Sequence, residues 1–435
     1  MLVGSAVRKV AIVGGTRIPF ARAHGAYADA SNQDLLTATL RALVEHHGLQ
    51  GARLGDVIGG AVIKHSRDFN LVRECVLSSG LHPQTPGLDL QRACGTSLEA
   101  AILVANKIAL GQIDAGIAAG VDSISDPPVV YPRSYQQILL RSFRARSLLQ
   151  RLLPFLSLRP RHFKPQLPGV IEPRTGLSMG QSAELMARTW QVSRAEQDEL
   201  AATSHVRAAA SWAAGFHDSL VVPYAGLARD NNVRADTSVD KLAKLRTAFD
   251  RSPAGTLTAG NSTPLTDGAA AVLLANPEWA AARGLPVLAH LTHAKSWAVD
   301  FAGGQEGLLM APALAVSQLL HDAGLTLQDF DFYEIHEAFA AQVLCTLKAW
   351  ESPQYCREQL GRDAPLGAID RAKLNVNGSS LAIGHPFAAT GARILAAAAQ
   401  LLARNPGSRR VLLSVCTAGG MGVTAIVEAA AAGPR

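Results

Sequence analysis

An order of elements that occurs twice is what most restricts how this chain can fold. Residues 7–13 (VRKVAIV) read as a buried strand ended by Gly14 and Gly15, and residues 34–47 carry Leu and Val at helical spacing up to Gly48. A strand over 57–62 follows. Far downstream, 313–322 is again an apolar helix closed by Gly324, and 331–335 again a strand. Cys94 stands just ahead of a predicted helix over 97–110 that leads to a strand over 115–121. His385 stands just ahead of another, 388–403, leading to a strand over 410–415. Two such sets of strand–helix units imply an internally duplicated α/β fold with right-handed crossovers. If the halves pack about a pseudo-twofold axis, Cys94 and His385 face one cleft.

The stretch between the halves differs in character. Residues 128–250 are rich in Pro and Arg and then in charged helical segments, and they read as an inserted domain. The first half would then comprise 1–127 and 251–277, and the second 278–435. At 48% apolar and 17% charged residues the chain buries sizeable cores, and its 38 glycines favour close helix–sheet packing. Cysteines at 75, 94, 345, 356 and 416 form no CxxC pair, so neither a disulfide framework nor a cysteine-rich zinc site is expected, and a reducing compartment fits best. The amino terminus reads as soluble and unprocessed, with no run near the ~20 apolar residues of a membrane span. A net charge of +6 suits CoA or other nucleotides, nucleic acid and anionic lipid alike.

Three motifs carry chemistry. Cys94 lies in QRACGTSLEA, where a helix start lowers a thiol's pKa and favours the thiolate; a buried packing cysteine is the rival reading. His385 lies in GSSLAIGHPFAATGAR, where Pro386 suits a first helical turn and a histidine is disfavoured as a cation, so it can act as a neutral base; a satisfied core histidine competes with this. Cys416 opens CTAGGMG after an apolar strand, on a turn whose backbone N–H groups can bind an oxyanion.

Together and in this order, the three motifs resemble those of the thiolase family, and MGQSAE (179–184), residues 260–270 and HEAFA (336–340) extend the resemblance over nearly the whole chain. The resemblance implies the thiolase fold: two duplicated βαβαβαββ halves in a five-layer αβαβα arrangement with an inserted loop domain. It implies CoA-dependent thiolysis of 3-ketoacyl-CoA, with Cys94 as nucleophile, His385 as base and Cys416 as second acid–base. The N–H groups of Cys94 and Ala418 would bind one oxyanion, and His385 the other. Two positions depart from the commonest pattern: Ala418 replaces a glycine, and His336 replaces an asparagine. HEAFA resembles the thiolase subunits of fatty-acid β-oxidation multienzyme complexes, and His336 can still donate a hydrogen bond; Glu337 is expected to be structural. Arg234, Thr263 and Met179 match family positions near CoA, although Lys241 stands where some members have a serine.

By the same resemblance CoA is a substrate, no cofactor is permanently bound, and no metal or nucleic acid is expected. The chain would form a homodimer or a dimer of dimers in the cytoplasm, with a hydratase/dehydrogenase α subunit as a further partner. Biosynthetic condensation of acetyl-CoA uses the same residues and is a rival; a catalytically silent lipid- or CoA-binding protein would not need all three motifs. Residues 131–174 hold nine Arg/Lys against one acid, Glu172, interleaved with Leu, Ile and Phe. A helix lying on the inner face of an anionic membrane through 138–156, a partner-docking face, a cover for the acyl tunnel and an ordinary helix packed on its own domain all fit this pattern.

Overall fold

A computed structural model describes residues 7–430; residues 1–6, part of the predicted amino-terminal stretch, and 431–435 lie outside them. The chain runs through β1 (Ala11–Arg17), β2 (Ala21–Arg22), α1 (Asn32–His46), β3 (Asp56–Gly59), α2 (Leu71–Ser78), β4 (Gly87–Asp89), α3 (Thr96–Ala109) and β5 (Ala115–Asp122). An excursion then carries α4 (Arg133–Arg144), α5 (Leu148–Leu152), α6 (Met179–Thr189), α7 (Arg194–Ala213) and α8 (Val239–Ala243). The chain returns as β6 (Thr266–Ala275), α9 (Pro277–Ala281), β7 (Ala289–Ala298), α10 (Ala311–Ala323), β8 (Phe332–Ile335), α11 (Ala340–Glu351), α12 (Pro353–Glu358), α13 (Ser380–Ile383), α14 (Thr390–Arg404), β9 (Arg410–Thr417) and β10 (Met421–Ala429). Local signals set the helix ends. Ser31 and Asp34 form a capping box on α1, and Gly324 closes α10 in the left-handed region at φ 64°.

The strands lie in the order β4-β3-β5-β6-β1-β7-β10-β9-β8. β3 runs parallel to β5, which pairs antiparallel with β6, and β6 pairs antiparallel with β1. β8, β9, β10 and β7 repeat those three pairings in the same sense. Among the described residues the half-sheets pair where Ala11 and Ile12 of β1 lie beside His290 and Ala289 of β7. The repeat is one strand shorter on the second side, where the counterpart of β4 is a single bridge between Tyr333 and Leu374.

Alternation along the strands makes the layers. Ala270, Val272 and Leu274 of β6 and Val411, Leu413 and Val415 of β9 join a central core with α3 and α14. The opposite face of β6 packs with α1 and α2, and that of β9 with α10 and α11. The result is five layers, α-β-α-β-α. The middle one is thin because the backbones nearly touch: a Cβ on Gly391 of α14 would stand 2.7 Å from Leu98 Cβ of α3.

Two sequence expectations need correction. The first strand starts at Ala11 rather than residue 7 and continues through Gly14 and Gly15, with a bulge between Ile12 and Gly14. Those glycines do not stop the strand; they leave room for neighbours, since a Cβ on Gly14 would meet His47 Nε2 at 2.6 Å and one on Gly15 would meet Ala396. The helix after His385 starts at Thr390 rather than residue 388, preceded by a 3-10 turn over Phe387–Ala389 that Pro386 enters in an extended conformation.

The span 128–250 behaves as two parts. α6 and α7 are built into the cores through Ala183, Met186, Ala208 and Trp212, and Arg17 of β1 pairs in the interior with Asp230 at 2.6 Å. By contrast α4, α5 and the turns after them keep their apolar side chains in solvent: Phe143 is 85% exposed, Leu148 75% and Leu156 84%, with Ile138 buried. α4 packs on α5 and on the turns that follow it within the same segment, with Tyr135 against Phe163, and leaves these apolar side chains uncovered. Among the described residues no helix is long and apolar enough to cross a membrane, and no group of three metal-ligating side chains gathers.

Candidate active site

Cys94 follows the edge strand β4 on a turn that the backbone finds costly. Ala93 adopts φ 44°, a conformation disfavoured for any residue with a Cβ. Thr96 holds it there, its Oγ accepting from Arg92 N–H (2.9 Å) and donating to Ala93 O (2.7 Å), while Gly95 N–H donates to Arg92 O at 3.0 Å. The backbone N–H groups of Ala418 and of Cys94 itself lie near the Cys94 sulfur and favour its anion. Burial nevertheless pushes the thiol up to about 12, with Asp122 nearby adding to the rise. The expected helix-start thiolate is thus not the resting form, because α3 begins two residues later and desolvation outweighs its dipole.

His385 is buried opposite, its backbone N–H donating to Thr266 Oγ1 (3.2 Å) and its Nδ1 2.5 Å from Thr390 Oγ1. The Ala388 N–H, three residues on, donates to Asp122 Oδ2 at 2.7 Å, which ties the loop to β5 of the other half. Asp122 also accepts from Val62 and Ile63, yet burial pushes its carboxyl up to about 7. His336 lies beside His385 with ring centroids 4.1 Å apart and the rings tilted by 48°, its Nδ1 2.8 Å from Ser380 Oγ. The Nε2 atoms of both histidines are buried without a protein partner. Burial, reinforced by the Arg393 guanidinium, holds both neutral: His385 is pushed down to about 3 and His336 well below the usual histidine range.

Cys416 is the next-to-last residue of β9, buried, its thiol raised by burial and by the neighbouring Cys94. The turn after it reverses through Gly419 (φ 77°) and Gly420 (φ 68°), which only glycine adopts without strain. Glu172, the lone acid of the basic stretch, is buried and accepts from Gly419 N–H at 2.6 Å. Cys94 thus neighbours Cys416, His385 neighbours His336, and Asp122 links the two pairs; thiols and neutral imidazoles are the groups that acyl transfer through a covalent thioester needs.

The outer candidates sit less tightly. Thr263 donates its hydroxyl to Ser380 O (2.9 Å) and its N–H to Ala338 O, so it joins the two histidine loops and keeps only lone pairs for a ligand. Met179 opens α6 and packs against the core under α11. The Arg234 side chain is exposed, with no carboxylate within ion-pair distance among the described residues; Lys241 is engaged with Asp236 at 2.7 Å.

Several supporting residues escaped the sequence reading. Asn375 (φ 46°) clamps the HEAFA turn, accepting from Ile335 N–H (2.9 Å) and donating to Ile335 O (2.9 Å) and Glu337 Oε1 (2.7 Å). Glu337 also accepts from Ser204 Oγ and Leu381 N–H, a structural role as expected. Ser380, Thr390 and Arg393 lay inside the quoted histidine motif, but their targets depend on the fold. For Glu172, its isolation among nine cations was the available signal.

Comparison with known proteins places these features in a family context. Residues 10–278 match the family model "Thiolase, N-terminal domain", and 285–429 match "Thiolase, C-terminal domain". The chain is 41% identical over 426 residues to a 3-ketoacyl-CoA thiolase of Pectobacterium atrosepticum, covering 97% of this chain and 96% of that one. A Yersinia pestis 3-ketoacyl-CoA thiolase is 40% identical over the same length, with 97% of each chain covered. Among solved structures, Bacillus anthracis acetyl-CoA acetyltransferase superposes with a TM-score of 0.81 at 29% identity, covering 98% of this chain and all of that one. Human mitochondrial 3-ketoacyl-CoA thiolase in complex with CoA superposes with a TM-score of 0.80 at 26% identity, with the same coverage.

Proposed function

Since this chain belongs to the thiolase family, we propose that it is an acyltransferase that cleaves 3-ketoacyl-CoA with CoA, yielding acetyl-CoA and a shortened acyl-CoA in fatty-acid β-oxidation. One observation supports the reading: Cys94 neighbours Cys416, His385 is neutral with its Nε2 unpartnered, and Asp122, which lies near Cys94, binds the loop that follows His385.

His385 Nε2 takes the Cys94 proton as the sulfur attacks the 3-keto carbon. The N–H groups of Cys94 and Ala418 stabilise the resulting oxyanion. Collapse breaks the C2–C3 bond, and the electron pair moves into the thioester enolate, whose oxygen faces His336 and the now protonated His385. Cys416 protonates C2 and acetyl-CoA leaves. The Cys416 thiolate then takes the proton of the incoming CoA thiol, and the CoA sulfur attacks the acyl group on Cys94. When the shortened acyl-CoA departs, Cys94 recovers its proton from His385, and both cysteines and the histidine return to their starting states. Ping-pong kinetics follow.

The exposed Arg234 supports stacking on the CoA adenine, and the free lone pairs of Thr263 with the apolar Met179 support a pantetheine contact. CoA enters and leaves as a substrate, with no resident cofactor invoked. In the cytoplasm the chain would act as a homodimer or dimer of dimers, with a hydratase/dehydrogenase subunit delivering substrate. Exposed leucines and phenylalanines among arginines support contact of 138–156 with the inner face of an anionic membrane.

The test is a pair of variants. Cys94→Ala should abolish both thiolysis and acyl-enzyme formation, whereas Cys416→Ala should still be acylated but turn over poorly; a fully active Cys94→Ala enzyme ends the proposal. Deleting 138–156 should remove salt-sensitive binding to anionic liposomes, and unchanged binding would refute the membrane contact.

A further inference from the structure

His336 can serve the enolate oxygen only as a donor, which requires its proton on Nε2. A neutral imidazole carries one proton on either ring nitrogen, and the hydrogen bond at the other nitrogen decides which. The partner of His336 Nδ1 is Ser380 Oγ at 2.8 Å. That hydroxyl is already occupied on its other side, because Arg393 Nη2 donates to it at 3.0 Å and to Ser379 Oγ at 3.1 Å. Arg393 is buried inside α14, with Glu334, Glu337, Asp230 and Arg17 as its titratable neighbours. Burial lowers it only to about 10, so it remains a cation at neutral pH.

A serine hydroxyl has two lone pairs and one hydrogen. With a guanidinium N–H on one lone pair, the hydroxyl dipole turns its hydrogen away from the cation. His336 Nδ1 is the only acceptor the hydroxyl has among the described residues. Donation to Nδ1 satisfies it; the opposite tautomer would leave a buried hydroxyl hydrogen beside a cation with nothing to bond, which is the costly arrangement. No guanidinium donates to Thr390 among the described residues, so that hydroxyl is free to accept from His385 Nδ1 and leave Nε2 bare for the Cys94 proton.

We propose that Ser380, oriented by Arg393, is a positioning residue that fixes His336 as the Nε2–H tautomer and so aims a hydrogen-bond donor at the substrate thioester oxygen. The proposal rests on the thiolysis reading of this site. It also assigns opposite proton positions to two neighbouring histidines: donor at His336, acceptor at His385.

The direct test is nitrogen-15 NMR of the full-length enzyme labelled at histidine, with the His336 resonances assigned by their loss in His336→Asn. The expected wild-type signature is a protonated Nε2 and a bare Nδ1 at His336; a proton on Nδ1 overturns the proposal without any appeal to variants. Ser380→Ala should blur or reverse that signature and lower kcat about tenfold or more, the scale on which a lost orienting partner is felt, with KM for CoA unchanged. Ser380→Thr, which keeps the hydroxyl, should restore both. If Ser380→Ala retains the Nε2–H signature and wild-type kcat while His336→Phe is inactive, the relay is wrong and the donor role stands. A fully active His336→Phe enzyme instead overturns the donor role and the relay with it, leaving acylation at Cys94 to be judged on its own variants.

Discussion

Replacing Gly120 by alanine tests whether the two halves hold the reacting groups in register. Gly120 lies on β5, where the chain after His385 crosses it backbone to backbone. A methyl there would stand 2.5 Å from the Ala388 carbonyl carbon and 3.0 Å from the Ala389 nitrogen. Carbon contacts are ordinarily ~3.5–4.0 Å, so the His385 loop must retreat by roughly 1 Å. A misplacement of that size at a reacting group costs about 100-fold in rate, or about 2.7 kcal/mol of barrier. The retreat also stretches the 2.7 Å bond from Ala388 N–H to Asp122, on top of an overpacking cost of ~1–3 kcal/mol in stability. The readouts are kcat/KM for thiolysis, the single-turnover rate of Cys94 acylation and the urea midpoint. Gly116→Ala is the control: its methyl would meet Asp56 O at 2.8 Å and Val104 Cγ1 at 3.0 Å, roughly 13 Å back along the same strand. It should lose stability with acylation intact. Equal effects of the two variants on acylation, or a wild-type rate in Gly120→Ala, would refute the argument.

Other perturbations have defined outcomes. Asp230→Ala should cost about 3–5 kcal/mol in urea unfolding, because it strands the buried Arg17 and frees the N–H groups of Phe20 and Trp212. Asn375→Ala should destabilise by at least ~2 kcal/mol by removing the partner of the Ile335 N–H and C=O and of Glu337 Oε1, with turnover falling as the HEAFA turn loosens; unchanged kcat would show that the clamp does not reach His336. With Cys94 pushed up to about 12 and His385 down to about 3, acylation should be flat from pH 5 to 9 while iodoacetamide alkylation of Cys94 keeps rising through pH 9; an alkylation plateau near pH 7 would reveal a resting thiolate. His47, His205, His217 and His385 are all lowered from 6.5 by burial, to between about 3 and about 4, so below 6.5 these four sites bind more protons unfolded than folded, a difference that Asp122 and Glu334, both raised to about 7, offset in part. Stability should be full above pH 6.5 and fall towards pH 4, by up to ~1.4 kcal/mol per unit for each histidine; a urea midpoint unchanged between pH 7 and pH 5 would contradict this.

What the sequence revealed follows from the range of the forces involved. The duplicated order was legible because periodicity and glycine stops act locally, and α1 and α10 lie within two residues of their predicted starts. Gly14 and Gly15 misled because a glycine that ends a strand and one that admits His47 look alike until the neighbour is known. The candidate residues Cys94, His385 and Cys416 announced themselves through motif spacing. Their protonation states did not: a helix start argued for a thiolate at Cys94, and only the depth of burial, a property of the whole fold, reversed it. Ser380, Arg393 and Asn375 are polar residues whose partners lie between 13 and 44 positions away, beyond any local pattern.

Glu172 has a consequence for the molecule's outward polarity. It is the one acid in residues 131–174, and it is buried against the Gly419 turn, so the nine cations of that stretch have no counter-charge among themselves. They make the stretch formally +8 in a chain of net +6, and the remaining 32 cations against 34 acids leave the body at −2. The protein is thus a faintly acidic body carrying a strongly basic strap, an electric dipole rather than a basic sphere. In a negative field it turns strap first before any contact is made, and on an ion-exchange column its retention should track the strap more than the isoelectric point.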